Sequence, residues 1–99
     1  MTGPQDTTTF MPGDAGDRLE RALAAASARG EHQSDEVCEA VEEVVADAKR
    51  EGQPPERVVV LLKTLAFRAL GTIRLPLDAV RAAIAWVVRC AVKAYYGRA

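Results

Sequence analysis

Apolar residues recur at helical spacing along most of this chain, and none of these stretches keeps the strict alternation of a half-buried strand. Between Asp35 and Glu51, Val37, Val41, Val44, Val45 and Ala48 fall at i, i+4, i+7, i+8 and i+11, a single helical stripe. Glu36, Glu39, Glu43 and Asp47 line the opposite side. Ser34 stands where an N-cap belongs, Asp35 and Glu36 face the positive end of the helix dipole, and Gly52 follows Lys49 and Arg50 as a stop.

A second helix is expected over about 54–70, opened by Pro54 and Pro55 and closed by Gly71 in a left-handed cap. Val58, Val59, Leu61, Leu62, Leu65, Ala66, Ala69 and Leu70 cover about half its circumference at about 100° per residue, the arc of a helix touching two neighbours. A third, over about 76–96, carries Val80, Ile84, Val87, Val88, Ala91 and Tyr95 on its apolar face and stops at Gly97. Upstream, a helix over about 15–29 offers only Leu19, Ala22, Leu23 and Ala26, with Gly30 beyond. Two leucines predict loose packing.

The expected fold is therefore all-α: a three-helix up-down-up bundle (about 35–51, 54–70 and 76–96) with a loosely packed extra N-terminal helix. Short links between its helices imply antiparallel neighbours. Residues 1–14, rich in Gly, Pro and Thr, read as a disordered arm whose Phe10-Met11 pair is a minor docking candidate. Residues 15–99 read as a single helical domain with its main core in 35–96. On this reading, deleting residues 1–29 leaves a cooperative helical melt.

Composition sharpens the picture. Of the 99 residues, 18 are Ala, which bury little, and the large apolar residues crowd into the last two-thirds: five from Met1 to Glu36, 21 from Val37 to Tyr95. A core drawn from so short a segment is marginal and gains from self-association. No uncharged apolar run approaches the roughly 20 residues a membrane helix needs, and the first residues lack the basic and apolar regions of a secretory signal. Two cysteines are too few for a disulfide framework, so a cytoplasmic protein is expected. Ten Arg against three Lys and the absence of Asn look like a GC-rich bacterial coding bias.

The net charge of −1 conceals a polarised chain. Residues 1–56 carry 13 acids and five bases, and residues 57–99 carry eight bases and the single acid Asp78. Oppositely charged helices lying side by side account for this most simply. The alternative is a basic surface for nucleic acid on the last two helices, with Arg74, Arg81, Arg89 and Lys93 as its candidates. Against it, the last helix has no Asn, Gln or Ser to accompany Arg in base readout.

No constellation calls for catalysis. His32 is the only histidine and sits in a linker without a partner; the Glu36, Glu39, Glu43, Asp47 row lacks the histidines of a di-metal site. Cys38 is early in one helix and Cys90 late in another, an expected axial offset on the order of 10 Å that puts them beyond disulfide reach. No cofactor and no metal are expected. The function read from the sequence is a small non-enzymatic protein–protein interaction module, with a homodimer or a complex with another protein as its state and no membrane contact. Val60 and Phe67, seven residues apart and outside the apolar arc of their helix, are the interface candidates, with Trp86 and Tyr95 at the edge.

Overall fold

A computed structural model describes residues 13–31, 33–71 and 75–97, and every regular element among them is a helix: α1 (Asp14–Ala28), α2 (Asp35–Arg50), α3 (Pro55–Gly71) and α4 (Leu77–Tyr96). Residues 1–12 of the expected disordered arm, with Phe10 and Met11, lie outside the described residues, as do His32 and Arg74; Asp14, expected in the arm, is instead the first residue of α1. No described helix is long and apolar enough to cross a membrane.

The local signals act as their chemistry predicts. The Ser34 hydroxyl accepts the Val37 N–H at 3.3 Å, capping α2. Both α1 and α2 end with a left-handed glycine, Gly30 and Gly52, each at φ 75°. Beyond them the Glu31 and Gln53 N–H groups reach back to the Ala26 and Ala48 carbonyls at 2.8 and 3.0 Å, the Schellman pattern. Gly71 departs from expectation. Its φ is not positive, so it is the last residue of α3 itself rather than a left-handed cap beyond the helix.

The packing order also departs from expectation. α1 packs against α2 and α3, and α4 packs against the same two, while α2 and α3 scarcely meet. The four helices form a ring in the order α1, α2, α4, α3, with α2 and α3 on the diagonal. A core of three with a loose fourth is therefore not what forms. Leu19 and Leu23 are 0% and 2% exposed, and Ala15 and Ala26 are buried beside them. Gly16 and Ser27 are buried too, so the neighbours of α1 close in on small residues. The two leucines suffice because they lie between two apolar walls that would otherwise face water.

Ion pairs report the directions of α1 and α2. Arg18 pairs with Glu43, and Arg29 lies 3.8 Å from Glu36, so these helices are antiparallel. Arg68 of α3 reaches Glu20 of α1 at 3.2 Å.

Deleting residues 1–29 is now expected to abolish the cooperative melt, because it bares the α1-facing sides of α2 and α3. Leu19→Ala is expected to cost about 3 kcal/mol in urea unfolding, as a buried leucine does elsewhere. Gly52→Ala is expected to cost about 1 kcal/mol through its left-handed backbone.

Candidate functional site

α4 makes the decisive contacts with the rest of the chain. Trp86 is half-buried, and its indole N–H donates to the Ser34 carbonyl at 3.0 Å, at the entry to α2. One turn further along both helices, Cys38 is a neighbour whose interaction raises the Cys90 thiol. Near the other end, the Tyr95 hydroxyl donates to the Gln53 carbonyl at 2.8 Å, just past α2. Lys49 lies 5.2 Å from the Tyr95 ring centre and donates to the Tyr95 carbonyl at 3.3 Å. These contacts rise together along both helices, so α2 and α4 run parallel.

The register corrects the expected separation of the thiols. α4 starts well before α2, so the first turn of α2 meets the third turn of α4 rather than its start. Cys90 is 2% exposed and Cys38 half-buried. Burial, and then the hydrogen bond and charge interaction with Cys38, push the Cys90 thiol well above the usual range. Trp86 and Tyr95 are likewise reassigned. Their polar tips are spent on backbone carbonyls, and they pin α4 to α2 rather than edge an outward-facing interface.

α4 is also turned about its axis relative to the expected face. Its buried residues are Ala83, Val87, Cys90 and Ala91, whereas Val80, Ile84 and Val88 are only half-buried. At about 100° per residue this is a rotation of roughly 70°. The cause is fit: small residues let α4 come close to its neighbours, and Trp86 can reach Ser34 only in this orientation.

The rotation leaves an apolar trough between α3 and α4. A groove of about 550 Å³ is lined by Phe67, Ile84, Ala85 and Val88, with Lys63, Arg81 and Arg89 around it. On α3, Val60 and Phe67 stand on one stripe of the solvent face and are 63% and 59% exposed. Leu77, Val92 and Tyr96 of α4 are exposed as well, so every exposed large apolar residue among those described lies on α3 or α4. Among the described residues, Lys63, Arg81 and Arg89 have no acidic side chain within ion-pair distance. Lys93, expected to share their face, instead borders a separate hollow between α2 and α4, with Glu42 and Lys49.

The acidic row of α2 is divided between solvent and α1. Glu43 and Glu36 face Arg18 and Arg29, while Glu39 is exposed. Arg29 also bonds Glu31 at 3.0 Å, and that hydrogen bond, then its charge, lowers the Glu31 carboxyl below its ordinary range. Among the described residues no group of three or more His, Cys, Asp or Glu side chains is placed to hold a metal ion.

Replacing Tyr95 by Phe and Trp86 by Phe are each expected to lower stability by about 1 kcal/mol, the net worth of one hydrogen bond, because the Ser34 carbonyl keeps the Cys38 N–H as its other donor. Urea unfolding followed by far-ultraviolet circular dichroism measures both. No protein-family model, no curated protein and no solved structure matches this chain.

Proposed function

We propose that this protein is a non-enzymatic helical docking module whose α3/α4 face takes an acidic amphipathic helix of another protein. The observation that carries this reading is Phe67. It is a large aromatic side chain, mostly exposed, at the edge of a groove whose floor is apolar and whose border is cationic. An aromatic anchor beside a concave apolar floor suits helix-in-groove recognition, and unopposed cations on the border select acidic flanks.

A second copy of the chain is the poorer occupant. Through its own α3/α4 face it brings Val60 and Phe67 but also the same cations, Lys63, Arg81 and Arg89. Through its α1/α2 face it brings carboxylates but no large exposed apolar residue. Nucleic acid fits less well again, because an apolar floor separates the arginines and α4 has no Asn, Gln or Ser for base edges.

Two synthetic helical peptides with identical leucine and phenylalanine anchors, one flanked by Glu and one by Lys, test the reading against the isotope-labelled protein. The Glu peptide is expected to shift the amide resonances of Lys63, Phe67, Ile84 and Arg89, and the Lys peptide to leave them in place. Phe67→Glu is expected to weaken Glu-peptide binding at least tenfold while changing stability by only about 0.5 kcal/mol, because the side chain is already exposed. Equal shifts with both peptides overturn the charge argument. A dimer mass in light scattering that falls to the monomer mass in Phe67→Glu assigns the face to a second copy.

A further inference from the structure

We propose that the hollow between α2 and α4 binds a small aliphatic monocarboxylate, its carboxylate on Lys49 and its chain laid along an apolar floor towards Glu42 and Lys93. The hollow has a volume of about 440 Å³, within the range of small-ligand pockets. It shares no lining residue with the α3/α4 groove, so the proposal stands independently of the docking reading.

The lining follows from helical spacing. Glu42, Val45, Ala46 and Lys49 fall at i, i+3, i+4 and i+7, on one face of α2, and Lys93, Ala94 and Gly97 face them from α4. Because the two helices run parallel, Glu42 and Lys93 stand at one end of the hollow and Lys49 and Gly97 at the other. Seven residues separate Glu42 from Lys49, about 10.5 Å along the helix. Between them Val45, Ala46 and Ala94 offer only methyl groups.

The two ends differ in charge. Glu42 and Lys93 share the first, where their charges offset each other. At the second, Lys49 has no carboxylate within ion-pair distance. Its ammonium is already held in place, donating to the Tyr95 carbonyl at 3.3 Å and lying 5.2 Å from the Tyr95 ring centre. An ammonium has three N–H donors, so two remain for a ligand, and a cation fixed beforehand loses little freedom on binding. Gly97 brings no side chain to this end, and a Cβ there would strike the Lys93 carbonyl, so the approach to Lys49 stays open. A carboxylate seated on Lys49 lays its aliphatic chain on the floor, where apolar surface leaves water. A second carboxylate at the far end would meet Glu42 as well as Lys93 and be stripped of water for no net attraction. The site therefore selects one carboxylate, not two.

The test uses the isotope-labelled full chain titrated with hexanoate, with adipate and with hexanol. Hexanoate is expected to shift the amide resonances of Val45, Ala46, Lys49 and Ala94 saturably, with a Kd of about 1 mM, and to leave Phe67 and Ile84 in place. Adipate and hexanol are each expected to bind about tenfold more weakly. Lys49→Met is expected to weaken hexanoate about tenfold while leaving hexanol unchanged, with folding checked by circular dichroism. Glu42→Gln is expected to strengthen adipate about threefold, because Lys93 then stands unopposed. Hexanol or adipate matching hexanoate in the native chain overturns the proposal, as does unchanged hexanoate affinity in folded Lys49→Met. Hexanoate shifts at Phe67 and Ile84 in place of the hollow, or no saturable shift at all, overturn it too.

Discussion

The chain entering α2 and the chain leaving it each give a backbone carbonyl to an aromatic side chain of α4. Ser34 accepts from the Trp86 indole and Gln53 from the Tyr95 hydroxyl. Each bond contributes only about 1 kcal/mol net, but each is made to a carbonyl beside an end of α2, the Ser34 one also accepting the Cys38 N–H, and each comes from a ring that also packs against the core. Together they hold α2 parallel to α4 and set the level at which the two helices meet. With α2 and α4 side by side, α3 packs on the far side of α4 and lies diagonal to α2. The gap between α2 and α3 is then filled by α1, whose two leucines become core.

The same grip determines what α4 shows to solvent. To bring Trp86 to Ser34, α4 presents Ala83, Cys90 and Ala91 inward and leaves Ile84 and Val88 along the α3 side. A helix whose large aliphatic residues are half-exposed beside a cationic border has surface it does not need for its own stability. The groove on the α3 side and the close α2/α4 contact thus arise from one rotation of one helix, on its two opposite sides.

Charge is arranged to fit. Arginines of α1 meet the carboxylates of α2, and Arg68 of α3 meets Glu20, so the acidic half of the sequence is partly neutralised by its own helix hairpin and partly by the basic half. Exposed pairs of this kind contribute little stability. Their consequence is directional: Lys63, Arg81 and Arg89 of the basic half are left unopposed beside the groove. The expected neutralisation of acidic α2 by the basic helices is limited to the α2/α4 hollow, where Glu42 and Lys93 share a lining.

The sequence alone determined the four helices to within about a residue at each end, because caps, prolines and glycines act through backbone geometry over a few positions. It determined the buried stripe of α2, all of whose predicted residues are buried, and it marked Val60 and Phe67 as facing away from the core. Both follow from periodicity within one helix. What it left open depends on how two helices meet. The integral place of α1, the closeness of Cys38 to Cys90 and the pinning roles of Trp86 and Tyr95 all follow from axial register and rotation. Those are set by which small residues allow close approach and which carbonyls find donors. No spacing within a single helix carries that information, because the same stripe of side chains fits several registers and only mutual packing of all four helices selects one.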